Sequence, residues 1–104
     1  MEVKNRIKLM LGITDDDELL NEIIALTESK ILFEIKEASI PKELDFVLIE
    51  LCVTRYNRIG SEGLKSESVD GRVQSYEDDI AKYRDIFNEY LYNKEKNKPR
   101  VRFL

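Results

Sequence analysis

The stretch PKELDFVLIELCVTRYNRIG, residues Pro41–Gly60, predicts a long amphipathic α-helix. Pro41 suits the first helical position, where its missing N–H costs no hydrogen bond. Arg55 and Arg58 lie near the predicted C-terminal end, where positive charge complements the helix dipole. Gly60 is expected to end the helix, which therefore covers about residues 41–59. One apolar face recurs at helical spacing: Leu44, Val47, Leu48, Leu51, Cys52 and Ile59.

Two helices are predicted before this stretch. The first covers residues 2–11 and ends at Gly12. The second covers residues 15–37, with Thr14 as its N-cap and Asp17 as a weak form of the capping-box acid. The apolar face of the first helix consists of Val3, Ile7, Met10 and Leu11.

The second predicted helix is apolar around most of its circumference. One face carries Leu20, Ile23, Ile24, Thr27, Ile31 and Ile35, and the residues that widen it are Leu19, Leu26 and Leu32. A helix of this kind has neighbours on more than one side, and another subunit is one alternative for such a neighbour.

After Ile59 the chain continues GSEGLKSESVDGRVQSY, residues Gly60–Tyr76. This connection is longer than the roughly 2–8 residues that usually join helices in a bundle. Asp70-Gly71 favours a type I′ turn, and the residues on either side have the length of short strands. We therefore expect a protruding loop or β-hairpin at about residues 61–75. Two strands alone are marginally stable, so a hairpin would need the helices or another molecule to support it.

A fourth helix is predicted over residues 76–95, with Ser75 in its cap and Pro99 beyond its end. Residues Arg100–Leu104 then alternate basic and apolar side chains, as in an edge strand on a partner or a tail that is disordered until it binds. The predicted fold class is all-α: a small four-helix domain with a protruding loop. The expected organisation is one domain over residues 1–97, including loop 60–76, and a flexible basic tail over residues 98–104.

Composition excludes several functions. With 104 residues the chain fits one domain, and its single cysteine excludes an internal disulfide. The absence of histidine excludes a His-based triad and a zinc site of the usual type. No apolar run reaches the roughly 18 residues of a membrane span, and the first residues do not resemble a secretory signal, so a cytoplasmic location is expected.

Candidate catalytic and metal sites have simpler explanations. The acidic run Asp15–Glu18 lacks the spacing of a calcium loop and suits the positive end of a helix dipole. Cys52 lies on an apolar face and has no histidine to activate it, which favours a core thiol. The segment Gly60–Gly63 lacks the Gly-Lys-Ser/Thr of a phosphate-binding loop. We therefore predict no enzyme activity, no cofactor and no metal.

The charge distribution leaves a second function open. The net charge is −4, but residues 1–93 carry 12 basic and 20 acidic side chains, whereas residues 94–104 have a net charge of +4. With Arg55 and Arg58, the tail could serve a small nucleic-acid-binding or regulatory helical protein. The acidic body would repel phosphate, which argues against DNA as the principal ligand.

Four segments resemble the small head–tail connector (adaptor) proteins of tailed bacteriophages and prophages. The most specific is RYNRIGSEGLKSESVDG at Arg55–Gly71, and the others are Leu11–Leu20, Ile40–Leu44 and Gln74–Tyr76. The resemblance implies a ring, typically of about twelve subunits, docked beneath the portal of the filled capsid. It also implies that the ring extends the DNA channel without binding DNA specifically and supports the next connector or stopper protein. The location implied is the head–tail junction of the virion, after assembly in the host cytoplasm.

Two sets of interface residues are predicted. An exposed hairpin offers unsatisfied edges for pairing across subunits, which gives the first set: Gly60, Glu62, Gly63, Leu64, Ser66, Glu67, Ser68, Val69, Asp70, Gly71, Arg72, Val73, Gln74, Ser75 and Tyr76. A basic, apolar tail is suited to capture by another protein, which gives the portal-docking set: Lys98, Arg100, Val101, Arg102, Phe103 and Leu104.

Overall fold

The computed structural model describes the backbone of residues 2–62 and 76–97 and the side chains of residues 2–59 and 76–96. Throughout these residues the regular structure is helical and there is no strand, which confirms the all-α fold class. The elements in chain order are α1 (Val3–Leu11), α2 (Glu18–Ile35), a 3₁₀ turn (Lys42–Leu44), α3 (Asp45–Glu62), α4 (76–81) and α5 (Arg84–Asn97).

Helix α3 is the central element, because α1 and α2 both pack against it. Its buried residues are Val47, Leu48, Ile49, Leu51 and Cys52. At 100° per residue these five side chains spread over about 200° of the helix circumference. Helix α3 therefore has neighbours on more than one side, and so does α2, which packs against both α3 and α5. The rest of the core comes from Ile7, Leu20, Ile23, Ile31, Ile35, Leu44, Tyr76, Ile80 and Phe87.

The first helix ends where the sequence predicts. Gly12 has φ 74° and ψ 26°, a left-handed conformation that favours glycine. Its N–H donates to the carbonyl of Leu9 at 3.2 Å, and the N–H of Ile13 donates to that of Lys8 at 2.9 Å. These two bonds satisfy carbonyls that the end of the helix would otherwise leave unpaired.

The second helix begins later than predicted, and its cap is Asp17 rather than Thr14. The Leu20 N–H donates to Asp17 Oδ1 at 3.0 Å, which satisfies a free donor of the first turn. The Tyr56 hydroxyl, on α3, donates to Asp17 Oδ2 at 2.6 Å. This bond between distant parts of the chain fixes the carboxylate at the helix start, and spacing along the sequence does not reveal it. At the other end, Lys36 has φ 57° and closes the helix in a left-handed conformation.

The third helix is shifted towards the C-terminus from its predicted bounds. Pro41 is extended, with φ −62° and ψ 148°, and its carbonyl accepts the Leu44 N–H at 2.9 Å. It therefore precedes a 3₁₀ turn instead of occupying the first position of the α-helix. The prediction that Gly60 ends the helix is also wrong, because α3 continues to Glu62. Glycine costs a helix only about 1 kcal/mol relative to alanine, so it permits this continuation.

The predicted fourth helix is two helices separated by a turn at residues 82–83. The N–H groups of Lys82 and Tyr83 donate three residues back, to Asp79 at 3.3 Å and Ile80 at 3.0 Å. Such bonds tighten the backbone relative to an α-helix. Both sides of the break are held to α3: Asp79 contacts Arg58, and the Tyr83 hydroxyl donates to Glu50 at 2.6 Å.

Residues 61 and 62, which the sequence assigned to the loop or hairpin, belong to α3. The rest of that predicted loop, residues 63–75, and the predicted tail, residues 98–104, lie outside the described residues. The domain division between residues 97 and 98 stays a prediction. Of the helices that are described, none is both long enough and apolar enough to cross a bilayer.

Candidate interaction surfaces

The C-terminal part of α3 and the start of α4 are joined by an ion pair. Arg58 Nη1 donates to Asp79 Oδ2 at 2.5 Å, and Nη2 donates to Oδ1 at 3.2 Å. The Asp79 side chain is 6% exposed and that of Arg58 is 24% exposed. A bidentate ion pair that is largely shielded from solvent restricts the relative movement of the two helices more than an exposed ion pair would. The ion pair therefore holds together the two ends of segment 63–75.

Tyr76 adds a second connection at the same place, this time to α2. Its ring is buried, and its hydroxyl donates to the Thr27 hydroxyl at 3.1 Å. The Arg55 guanidinium lies 4.5 Å from the ring centroid, in cation–π geometry. Next to it, Lys30 on α2 forms a salt bridge of 2.7 Å with Glu77. We call Arg55, Arg58, Tyr76 and Asp79 the clamp.

Two ionisable side chains at the clamp are held in their neutral forms. Burial raises the pKa of the neighbouring Cys52 thiol to about 12, so the reactive thiolate is not formed near neutral pH. Burial also raises the pKa of Tyr76, which keeps its hydroxyl protonated and able to donate. Cys52 is fully buried, in agreement with a core thiol.

The C-terminal helix is attached to the end of α2. The Tyr90 hydroxyl donates to Glu37 Oε2 at 2.6 Å, and Lys94 Nζ lies 2.9 Å from the same oxygen. The Tyr90 hydrogen bond, with a smaller contribution from Lys94, lowers the pKa of Glu37. Lys94 also donates to the Lys36 carbonyl at 3.2 Å. These bonds fix the helix that leads into residues 98–104.

Apolar side chains remain exposed on α2. Leu19 is 43% exposed, Leu26 is 47% exposed and Phe33 is 78% exposed. They are seven residues apart, so they form one line along the helix, which we call the α2 stripe. Some of the apolar side chains that make α2 apolar around most of its circumference therefore remain exposed in the protomer.

A second exposed apolar area lies on α1. Leu9 is 71% exposed and Met10 is 62% exposed, although Met10 was expected on the buried face. Together with Arg6, Lys42 and Asp45 they line a cleft of about 550 Å³, which we call the α1 cleft. Within residues 2–62 and 76–97, neither Arg6 nor Lys42 forms a salt bridge.

The acidic run at the start of α2 has structural roles. Asp16 accepts a hydrogen bond from Asn21 at 3.0 Å and lies 3.6 Å from Lys4 Nζ. Asp17 caps the helix and accepts from Tyr56, and the Tyr56 bond is the main reason why its pKa is lowered. Across the described part of the chain, no group of three or more candidate side chains could hold a metal ion.

Three of the predicted interface residues fall in described helices. Gly60 and Glu62 lie in the last turn of α3, and Tyr76 lies in the protomer core. The other members of that set, and the whole portal-docking set, lie outside the described residues, so both assignments stay predictions.

The sequence does not reveal the partners within the clamp. Its charge pattern predicts that Arg58 complements the helix dipole or contacts nucleic acid, whereas the structure pairs Arg58 with Asp79. The available signal was weak: Asp79 lies three residues after Tyr76 and four before Tyr83, which brings it close to the apolar face. Thr27, which belongs to the predicted apolar face of α2, accepts the hydrogen bond of the Tyr76 hydroxyl.

Comparison with known protein families gives a match that covers almost the whole described chain. The model of the phage gp6-like head-tail connector proteins matches residues 2–90. The chain belongs to this family, as the resemblance in the sequence implied. It is therefore classed with the structural, non-enzymatic proteins of the bacteriophage head–tail junction. Comparisons with curated proteins and with solved structures gave no significant match.

Proposed function

We propose that the protein forms a ring beneath the portal, where it joins the phage head to the tail and extends the DNA channel. The observation that carries this proposal is the family match over residues 2–90. We further propose about twelve subunits, a number that closed cyclic symmetry allows but does not require. The partners are other copies of the chain, the portal protein and the next connector or stopper protein. Assembly takes place in the host cytoplasm and ends at the head–tail junction.

The clamp supports a role for segment 60–76 in subunit contacts. Holding the two ends of a connection together reduces the conformational entropy that it loses on binding a partner. Here Arg58 and Asp79 hold α3 to α4, and Tyr76 is bonded to Thr27 on α2. Segment 63–75 therefore begins and ends at fixed points on the helical body, and we propose that it contacts a neighbouring subunit from there.

The C-terminal tail is proposed to contact the portal. The last described helix is held at Glu37 by Tyr90 and Lys94, so the tail starts from a fixed point. Residues 98–104 add three basic side chains and three apolar ones to that point. This combination suits an acidic protein surface with an apolar groove.

Binding to the purified portal of the same phage tests the proposal. We expect the full-length protein to co-sediment with portal rings and a variant lacking residues 98–104 to bind less. The helical circular dichroism of the two proteins should be the same, because no described helix includes the deleted residues. A large loss of helix in the deletion variant would show that the tail is part of the fold rather than a docking segment.

A second variant tests the segment between α3 and α4. Gly71→Val should weaken assembly more than it lowers the free energy of unfolding, because a type I′ turn requires positive φ. Ring formation at wild-type concentration by this variant would refute a role for the turn. Failure of the full-length protein to bind the portal at all would contradict the connector proposal itself.

A further inference from the structure

We propose that residues Arg100–Phe103 of the tail pack into a cleft beside α5 of the same chain in the free protein, and that portal binding requires their release. The contact within the chain is independent of the proposed function, whereas its effect on portal binding rests on that function. The cleft lies between α5 and the start of α3, and we call it the α5 cleft. Its lining includes Glu43, Phe46, Ile86, Glu89, Tyr90 and Asn93.

The floor of the α5 cleft is apolar and small. Phe46 is 42% exposed there, and Ile86 and Tyr90 are only partly buried. The cleft holds about 280 Å³, slightly less than the roughly 300–1,000 Å³ of small-molecule sites, which suits the side chains of a short peptide. Its wall is fixed, because the Tyr90 hydroxyl donates to Glu37 at 2.6 Å.

The charge at the α5 cleft is negative. Glu43 and Glu89 line the cleft and are exposed, and among residues 2–59 and 76–96 neither forms a salt bridge. The neighbouring cations are directed elsewhere: Lys42 lines the α1 cleft, and Lys94 is paired with Glu37. An acidic border around an apolar floor favours a segment that is both basic and apolar.

Residues Arg100–Phe103 combine these two properties in alternating order. In an extended segment successive side chains point to opposite sides, so Val101 and Phe103 share one side and Arg100 and Arg102 share the other. With the apolar pair on the floor of the cleft, the arginines lie on its open side, and their long side chains reach the glutamates at its border. The guanidinium group of arginine binds a carboxylate through two parallel hydrogen bonds.

The tail of the same chain reaches the cleft in the required register. Helix α5 ends at Asn97, and Glu89 and Ile86 lie about 12 and 16 Å back along its axis at 1.5 Å per residue. The proline at the second position of the tail cannot continue the helix, which favours a reversal there. After that reversal, extended residues at about 3.3 Å each bring Arg102 about 10 Å back, nearly level with Glu89, and Phe103 about 13 Å back.

The tether favours the tail of the same chain over the tail of another copy. A segment joined through a short linker has an effective concentration in the millimolar range. A contact too weak to join separate molecules in dilute solution therefore still forms within one molecule. A tail that is docked about nine-tenths of the time lowers its apparent affinity for a second partner about tenfold.

A nitroxide spin label in the tail tests the contact in the full-length protein. Leu104→Cys supplies the thiol, and Cys52 does not compete for the label because it is buried. The label weakens the NMR signals of amides that lie close to it, and we expect this at Phe46, Ile86 and Glu89. In a mixture of spin-labelled chains with isotope-labelled chains that carry no nitroxide, the same signals should keep their full intensity.

Reversing the charge of the cleft should release the tail. Glu89→Arg should restore the signals of Phe46 and Ile86, and adding Arg102→Glu should weaken them again through the exchanged ion pair. Glu22→Arg is the matched control, because Glu22 is exposed near the start of α2, whereas α5 is attached beyond the end of α2. Arginine and glutamate are good helix formers, and circular dichroism checks each fold.

Binding to purified portal rings tests the release step. Glu89→Arg should bind roughly tenfold more tightly than wild type, and Glu22→Arg should equal wild type. Full signals at the cleft in the spin-labelled protein, or weakened signals in the mixture of chains, would overturn the contact within the chain. Equal or weaker portal binding by Glu89→Arg would overturn the release step. If no form binds the portal, the connector proposal and the release step fail, and the NMR result alone decides the contact.

Discussion

The substitution Arg58→Met tests whether the clamp stabilises the fold. It removes both hydrogen bonds to Asp79, whose side chain is 6% exposed, and leaves a buried carboxylate without its main partner. Removing one member of a buried pair typically costs about 3–5 kcal/mol. Lys82 Nζ, 3.7 Å from Asp79 Oδ1, partly compensates the charge, so we expect a loss near 3 kcal/mol.

The assay is urea unfolding followed by circular dichroism, supported by thermal unfolding. A loss of about 3 kcal/mol lowers the Tm of a domain of this size by roughly 12 °C or more. Lys82→Met is the matched control: its side chain is 71% exposed and lies 3.7 Å from Asp79, and solvent screening at the lysine limits its contribution to about 1 kcal/mol or less. The double variant Arg58→Met/Asp79→Leu should recover part of the loss, because it leaves no unpaired charge.

Equal stability of Arg58→Met and Lys82→Met would refute this reasoning. It would mean that water reaches Asp79 readily and that the clamp contributes no more than a surface ion pair. The clamp has two proposed roles, to stabilise the protomer and to hold the ends of segment 63–75. If Arg58→Met lowers stability but leaves portal binding unchanged, the clamp has only the first role.

Three further predictions concern single side chains. Lys36→Gly should stabilise the protein by about 1 kcal/mol in urea unfolding, because Lys36 has φ 57° and a side chain is strained there. Partial burial and a hydrogen bond to Glu50 raise the pKa of Tyr83 to about 12, and a hydrogen bond to Glu37 raises the pKa of Tyr90 to about 12. Their contribution to stability is therefore complete below pH 10 and is lost as the pH rises towards 12, which alkaline titration of the Tm should show. Cys52, with its pKa raised to about 12, should react with a thiol reagent only as fast as the protein unfolds.

Each of these predictions has a control. Gly12 is already glycine at a left-handed helix end, so Gly12→Ala should destabilise where Lys36→Gly stabilises. A double Tyr→Phe variant at 83 and 90 should lose most of the alkaline dependence, and an unchanged profile would show that other groups cause it. Rapid labelling of Cys52 in the native protein would contradict its burial.

The helical parts of the fold could be predicted because apolar spacing determines them. The apolar residues that recur at helical spacing before and along α3 are buried, as this spacing predicts: Leu44, Val47, Leu48, Leu51 and Cys52. Gly12 ends α1 because its left-handed conformation is a local property of glycine. The errors fall at helix ends, where Asp17 caps α2 with the support of Tyr56 from another helix. A contact between residues 39 positions apart has no signature in local spacing.

The candidate surfaces could be predicted only in part. The apolar excess of α2 was visible from Leu19 and Leu26, but which of its residues stay exposed depends on how α2 is placed on α3. Arg58 and Asp79 were both visible as charges, but only the spacing of Asp79 from Tyr76 and Tyr83 distinguishes it from the neighbouring Asp78, and that spacing does not identify Arg58 as its partner. The resemblance at Arg55–Gly71 identified the family correctly because it rests on residue identity rather than on periodicity.

Electron microscopy of this protein mixed with the purified portal of the same phage tests the central claim most directly. We predict a closed ring of helical protomers at the outer end of the portal, coaxial with its channel and with neighbouring subunits in contact. Portal particles without additional density at that end, at protein concentrations that keep both components folded, would contradict the account.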